Sequence, residues 1–322
     1  MHAIRVDGFG GPEVLHVAEV ADPQPAEGEV VVRIHAAGVN PVDAYVRSGK
    51  YARLPELPYT PGADGAGVVK DVGAGVAGIS AGDRVYVAAL GIRFGTYAER
   101  MAVPARLVHR LPDAVSFAQG AAIGVPAATA YRALALRALA RGGETLFVHG
   151  ASGAVGIAAV QLGRGMGLRV LGTVGSNAGR AAALQAGIDQ VFDHTKDGYA
   201  AEVLAATGGR GVDVVLEMLA NVNLDRDLEL LAPKGRVVVI GSRGRIEIDP
   251  RQTMGKESAI LGTTLWATTP EEYRQTHAAL GGALATGVLR PVVGRQLPLE
   301  AAPEAHRAVL ADRAVGKMVL TF

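Results

Sequence analysis

The segment from Thr145 to Gly175 restricts what this 322-residue chain can fold into more than any other. Thr145 to Val148 is a short apolar run that reads as a strand. Gly150-Ala151-Ser152-Gly153-Ala154-Val155-Gly156 follows it, then Val155, Ala159, Leu162 and Met166 recur at helical spacing. Arg169 to Thr173 reads as a second strand. Strand, glycine turn, helix and strand make a βαβ unit, because parallel neighbours need a helical crossover. Such a unit suits a pyrophosphate: glycines admit close backbone approach, and the helix N-terminus offers unpaired N–H groups and positive dipole. The spacing is GxxGxxG rather than GxGxxG, so small residues in a purely structural turn are the competing reading. The strand before it and the helix after it favour the binding reading.

The second strand bears on which dinucleotide is meant. Units that hold NAD carry Asp or Glu about 20 residues on, against the ribose hydroxyl. Here Gly175 and Ser176 stand at that point, with Arg180 one helical turn later. Without a carboxylate there is no repulsion against a 2′-phosphate, and a hydroxyl plus a guanidinium suit one. The cofactor expected is therefore NADPH, with Ser176 and Arg180 at its phosphate. A solvated surface arginine is the ordinary alternative for Arg180.

Composition narrows the class. Cysteine is absent, which excludes disulfides, thiolate nucleophiles and cysteine-ligated metal. The 32 basic and 31 acidic residues leave a net charge of +1, so no global field draws nucleic acid or an anionic membrane. Hydrophobic residues at 49% and charged residues at 20% fit a globular protein with a sizeable core. No signal-peptide pattern and no membrane-length apolar run occurs, and the expected location is cytoplasmic.

Taken in order, the chain is β-rich to about Pro112, with strands at Val30–Ala37, Gly67–Val72 and Asp83–Val87. Ser116-x-x-Gln119 is a capping box opening an alanine-rich helix to Ala140, which Pro126 is expected to kink or divide. After the βαβ unit, helix and strand alternate: helix Ala178–Gly187, strand Gln190–Asp193, helix Tyr199–Ala206, strand Val212–Leu216. Helix Leu224–Leu231 and strands Arg236–Ile240 and Ser258–Leu265 complete the series. Alternation of this kind implies a parallel sheet covered on both faces. A helix from Glu271, an extended Pro291–Val293, a helix near Pro303–Ala311 and a strand Lys317–Leu320 find no place in that sheet and are assigned back to the first domain. His149 reads as a buried strand residue beside the glycine turn.

Ordered segments along nearly the whole chain resemble the medium-chain dehydrogenase/reductase superfamily, and within it the zeta-crystallin type of NADPH:quinone oxidoreductase. They are GGPEVL at Gly10–Leu15, AGVNPVDAYVRSGKY at Ala37–Tyr51, LPYTPGADGAG at Leu57–Gly67 and QGAAIGVPAATAYRAL at Gln119–Leu134. VHGASGAVG at Val148–Gly156, EMLANVNL at Glu217–Leu224 and GSRGRIEIDPRQTMGKES at Gly241–Ser258 continue the series. The resemblance implies an α/β protein: a GroES-like β-rich catalytic domain over 1–125 and 266–322, and a doubly wound, parallel-sheet (Rossmann) NADP(H)-binding domain over 126–265. It also implies where zinc would sit in zinc-dependent relatives, namely a Cys at the place of Asn40 and a His at the place of Ala63. An amide and a methyl replace neither, so no metal is expected. Asp64 and His35 alone make no metal site.

By the same resemblance, cofactor contacts fall on Tyr45, Ser152, Gly153, Ala154, Val155, Gly175, His194, Asn223, Ile240, Gly241, Ser242, Arg243, Thr263, Thr264 and Leu265, beside Gly150 and Gly156 of the turn. Asn40, Tyr45 and Tyr51 are expected at the nicotinamide and substrate end, where a hydroxyl or amide donates to a developing oxyanion and a ring lies beside a flat substrate. Tyr45 serves equally well as packing against the cofactor, and Asn40 before Pro41 as a turn residue. Lys317 and Arg313 are read as ordinary surface charge. Reduction of quinones, often ortho-quinones, by NADPH is the implied activity, with one- or two-electron transfer open. A different small electrophile, an enone or alkenal reduced at its C=C bond, is the alternative within enzymes. A crystallin-like structural role or RNA binding is the alternative outside them, and balanced charge with 5% aromatics speaks against RNA. A homodimer or homotetramer is implied, with Arg236–Ile248 as the sheet edge.

Overall fold

The computed structural model describes residues 1–89, 94–311 and 315–322; Arg313 lies outside them. The strands are β1 (His2–Arg5), β2 (His16–Glu19), β3 (Glu29–Val39), β4 (Asp64–Val72), β5 (Arg84–Ala88), β6 (Arg100–Pro104), β7 (Val108–Arg110), β8 (Thr145–Val148), β9 (Arg169–Val174), β10 (Gln190–Asp193), β11 (Val212–Glu217), β12 (Leu231–Val239), β13 (Ala259–Gly262), β14 (Val293–Pro298) and β15 (Lys317–Thr321). The helices are α1 (Pro41–Arg47), α2 (Phe117–Gly120), α3 (Gly124–Tyr131), α4 (Ala154–Gly165), α5 (Asn177–Gln185), α6 (Tyr199–Ala206), α7 (Ala220–Leu230), α8 (Arg251–Lys256), α9 (Pro270–Ala285) and α10 (Ala302–Ala308).

Two compact units divide the chain: Met1–Pro126 with Pro291–Phe322, and Ala127–Arg290. The first is built on a sheet in the order β14-β15-β3-β4-β5-β7, with β6 also paired to β3, and a separate β1–β2 hairpin. Its strands pair antiparallel except β14 with β15. β3 is long enough to serve several neighbours, and its Val30, Val31, Val32 and Ile34 are buried.

In the second unit the strands run β10-β9-β8-β11-β12-β13, all parallel. Numbered from β8, this is the 3-2-1-4-5-6 order of dinucleotide-binding sheets, with its switch point between β8 and β11. The central strands carry continuous apolar runs because both faces are covered. Leu146, Phe147, Val148, Val214, Val215 and Leu216 are all fully buried. Helix α4 is buried from Gly156 to Gly163 and ends where Gly167 takes a left-handed φ of 79°.

Four expectations are corrected. Pro126 does not divide a helix: it sits in the first turn of α3, where its missing N–H leaves no bond unmade, and the break falls earlier, at Ala121–Ile123. Beyond α3 the helix widens over Arg132–Arg137. The chain returns to the first unit at Pro291 rather than at residue 266, because α9 belongs with the second unit: Glu272 pairs with Arg132 at 2.8 Å, and Arg290 exchanges two hydrogen bonds with Gln161. β12 is not the sheet edge, since β13 pairs with it from Arg236↔Ala259 to Val239↔Gly262; residues 244–248 form no strand. Lys317 is not surface charge, being 2% exposed.

Candidate functional site

In the second unit, every residue singled out for the dinucleotide lies at the carboxyl end of one of the six parallel strands, or in the loop or helix that follows. Gly150 to Gly156 follow β8, Gly175, Ser176 and Arg180 follow β9, and His194 follows β10. Asn223 follows β11, Ile240 to Arg243 follow β12, and Thr263 to Leu265 follow β13. Ligands of open α/β sheets bind along this edge, at the switch point.

The glycine turn is shaped by its own backbone. Gly150 has φ +61°, and a Cβ on Gly156 would stand 2.3 Å from the Gly150 carbonyl and 2.7 Å from Ala151 Cα. Gly153 caps α4 with extended backbone, and Ile157 N–H makes the bond back to its carbonyl at 2.8 Å. The N–H groups of Ala154, Val155 and Gly156 precede that bond and have no intrahelical acceptor. This is a cradle for an anion at the positive end of a helix.

At the end of β9, Val174-Gly175-Ser176 offers no carboxylate. Ser176 caps α5, its Oγ accepting from Gly179 N–H at 3.1 Å, which leaves the hydroxyl proton to donate. The His194 imidazole faces Gly175, where an added Cβ would meet Nε2 at 2.8 Å. Arg180 is exposed and donates one N–H to the Val191 carbonyl at 3.1 Å, keeping its other donors. Across the switch point, Asn223 Nδ2 donates to Glu217 Oε1 at 3.2 Å. Ile240 and Gly241 N–H both donate to the Glu217 carbonyl, at 2.8 and 3.2 Å, and Arg243 N–H donates to Asn221 Oδ1 at 2.7 Å. Ser242 Oγ donates to the Gly244 carbonyl. Thr263 N–H bonds the Val239 carbonyl while its buried hydroxyl has no partner, and the exposed Thr264 caps the short turn that opens at Leu265.

In the first unit Tyr45, on α1, and Tyr51, just beyond it, are half-buried. Asn40 is 2% exposed and its amide is engaged on both sides: Nδ2 donates to Asp64 Oδ2 at 3.0 Å and Oδ1 accepts from Lys317 Nζ. The Lys317 ammonium also pairs with Asp64 at 3.1 Å, and the other Asp64 oxygen takes Val125 N–H at 2.8 Å. An internal ammonium therefore stands against Asp64 and Asn40, and the sequence gives this lysine the look of surface charge because its partners are far away along the chain. Asn40 is thus a residue that positions α1 rather than an outward-facing donor. Beneath it Asp43 accepts from Asn40 N–H at 2.8 Å and from Tyr97 Oη at 3.3 Å; burial pushes its carboxyl up to about 7. His306, whose Nε2 lies 3.3 Å from Tyr97 Oη, is driven down to about 3, by burial first and Arg47 second.

His149 is buried beside the turn, as its sequence position implied, and with Glu217 and Asp227 it forms the one group of three His, Cys, Asp or Glu side chains with metal-ligand spacing among the described residues. The acidic pair was missed: a Glu closing an apolar strand and an Asp inside a helix carry no motif. Also among the described residues, no helix is long and apolar enough to cross a membrane.

The chain is similar to known proteins over nearly its whole length. Residues 26–113 match the family model described as alcohol dehydrogenase GroES-like domain, and residues 154–281 match zinc-binding dehydrogenase. A human protein named quinone oxidoreductase is 48% identical over 99% of this chain and 97% of its own. Quinone oxidoreductase 1 of Escherichia coli K12 is 34% identical over 97% and 96%. Among solved structures, Escherichia coli quinone oxidoreductase complexed with NADPH superposes with a TM-score of 0.88 at 31% identity, covering all of both chains. One described as an NAD-dependent alcohol dehydrogenase gives 0.92 at 32% identity, again over all of both chains.

Proposed function

Since the chain belongs to the quinone oxidoreductase family of the medium-chain dehydrogenase/reductase superfamily, we propose that it reduces quinones, ortho-quinones among them, with NADPH and without zinc. The observation that carries the reading is the gathering of the glycine turn, Gly175-Ser176, Asn223, Gly241 and Thr263 at one edge of a 3-2-1-4-5-6 sheet.

NADPH, when bound, supplies the reducing equivalents. The rest falls to this chain's residues. Ala154, Val155 and Gly156 N–H groups hold the pyrophosphate, and Gly156 keeps the turn tight enough for it. Gly175 leaves room beside His194, and Ser176 and Arg180 donate to a 2′-phosphate where NAD enzymes present an acid. Tyr45 and Tyr51 are assigned to the substrate: an aromatic face suits a flat quinone, and a hydroxyl can donate to a developing oxyanion. Asn40 holds α1, and so Tyr45, through Asp64 and Lys317.

The zinc-free part of the reading is supported by donor chemistry. There is no cysteine in the chain; Asn40 and Ala63 offer an amide and a methyl; and the nearby Asp64 already faces an ammonium. The cytoplasmic location and a homodimer or homotetramer belong to the same reading, with the exposed edge strand β13 in place of Arg236–Ile248 as the edge that pairs.

The test is steady-state NADPH oxidation with phenanthrenequinone and a small enone side by side, and NADH in parallel. Quinone turnover with little on the enone, and NADPH preferred, is the expected result. Turnover on the enone alone overturns the substrate, and NADH preference overturns the argument from Gly175 and Ser176.

A further inference from the structure

At the switch point of the parallel sheet three titratable side chains are buried together. His149 follows β8, Glu217 ends β11 and Asp227 lies on α7; their side chains are at most 6% exposed. His149 Nε2 is 2.7 Å from Asp227 Oδ1 and 3.2 Å from Glu217 Oε2. From β8 the Phe147 ring meets the imidazole edge-on at 4.9 Å. From α6 the Tyr199 hydroxyl accepts from Arg226 Nη1 at 3.0 Å, and the Arg226 guanidinium lies over that ring. Arg226 is thus the cation that faces the cluster.

The hydrogen bonds leave one oxygen of each acid over. Glu217 Oε1 accepts from Leu219 N–H and from Asn223 Nδ2, and Asp227 Oδ1 faces the imidazole. The remaining two oxygens, Glu217 Oε2 and Asp227 Oδ2, are buried and make no hydrogen bond, although His149 Nε2 stands 3.2 Å from the former. Two ionised carboxylates would leave both orphaned and set like charges together in a dry site. One proton on Glu217 Oε2, donated to Asp227, removes both penalties. Burial first and the neighbouring Asp227 second drive the Glu217 carboxyl up, burial raises Asp227 as well, so that the pair holds a proton between them, and burial holds His149 neutral.

We propose that Glu217 is a neutral carboxylic acid in the folded protein and a positioning residue for the dinucleotide, holding the Leu219–Asn223 turn in its NADPH-accepting form, so that loss of its proton weakens NADPH binding. The inference rests on the reading that the second unit binds NADPH. Glu217 suits the task because its carboxyl holds the turn after β11 while its main-chain oxygen holds Ile240 and Gly241 after β12. The Gly241 carbonyl in turn accepts from Ala220 N–H at 2.9 Å, closing the two loops on one another. Ionisation would set Glu217 against Asp227 and pull the carboxyl from Leu219 and Asn223.

The experiment is NADPH affinity of the full chain from mildly acidic to mildly alkaline pH for wild type, Glu217→Gln and Glu217→Ala. Glutamine keeps an acceptor for Leu219 and Asn223 and an N–H donor for Asp227 at every pH. Wild-type Kd is expected to rise about tenfold relative to Glu217→Gln across the range, as the competent fraction shrinks. Glu217→Ala binds weakly throughout. Parallel profiles for wild type and Glu217→Gln overturn the proposal, as does Glu217→Gln binding as weakly as Glu217→Ala at acid pH. Stoichiometric divalent metal in wild type that Glu217→Gln removes also overturns it, since the cluster would then hold a cation instead of a proton. Failure of all three folded variants to bind NADPH at any pH removes the nucleotide reading itself, and the inference with it.

Discussion

Replacing Lys317 by Met strips the cation from a carboxylate that has no access to water. The Lys317 and Asp64 side chains are 3% and 1% exposed, so solvent does not screen their attraction. Removing one partner of a buried pair costs about 3–5 kcal/mol, chiefly the penalty of the charge left behind. Asp64 keeps two donors, Val125 N–H at 2.8 Å and Asn40 Nδ2 at 3.0 Å, which puts Lys317→Met near the lower end, about 3 kcal/mol. In a unit of this size that lowers the unfolding midpoint by about 6–12 °C. Asp64→Asn alone strands the ammonium and costs a similar amount. The double variant Asp64→Asn/Lys317→Met buries no charge and should return to within about 1 kcal/mol of wild type. The lone tryptophan, Trp266, lies in the second unit, so its fluorescence is the wrong probe. Hydrogen exchange across β3, β4 and β15 reads the first unit directly. Lys317→Met within about 1 kcal/mol of wild type, or a double variant as unstable as the sum of the singles, would refute the argument.

Gly156→Ala places a methyl against the Gly150 carbonyl and Ala151 Cα, both backbone, so the turn must open; NADPH affinity, read by titration, should fall at least about tenfold. An unchanged Kd would mean the turn does not carry the pyrophosphate. Gly175→Asp meets only the end of the His194 side chain and Thr195, and it puts an acid at the ribose; the ratio of kcat/KM for NADPH over NADH should drop by about tenfold or more. Persistence of that ratio would remove the specificity argument. Asp43, pushed up to about 7 by burial, holds its proton in the folded chain at pH values where the unfolded chain has lost it. Stability therefore falls as pH rises from about 4 to about 7, and Asp43→Asn, which keeps an acceptor for Asn40 N–H, should flatten that slope and gain about 1–3 kcal/mol at neutral pH. Unfolding midpoints at both pH values check it, and equal slopes for the two proteins would contradict it.

What the sequence made legible was local. The β8–turn–α4–β9 unit could be read because glycine positions, an apolar strand and helical periodicity lie within some thirty residues of each other. The same holds for the alternation that follows, and hence for residues lying beyond strand ends, since topology alone sends those ends to one edge. Long-range partnerships were not legible. Lys317 meets Asn40 across 277 positions, and a Lys opening a short strand looks like any charged strand end. Helix α9 follows the last parallel strand and has no strand of its own to cover, which put the unit boundary too early. The Ser258–Leu265 run read as one strand, but only Ala259–Gly262 pair, against the β12 they cover. The proton proposed for Glu217 leaves no trace in the sequence because it depends on two buried oxygens that make no hydrogen bond in three dimensions.

On the function proposed above, these residues pass reducing equivalents from NADPH to a quinone without a metal. The most direct measurement is phenanthrenequinone-dependent NADPH oxidation by protein dialysed exhaustively against a chelator, with metal content determined on the same sample. Turnover should be undiminished with far less than one metal per chain, and unchanged when zinc is returned. Turnover that vanishes with the metal and recovers with zinc would contradict it.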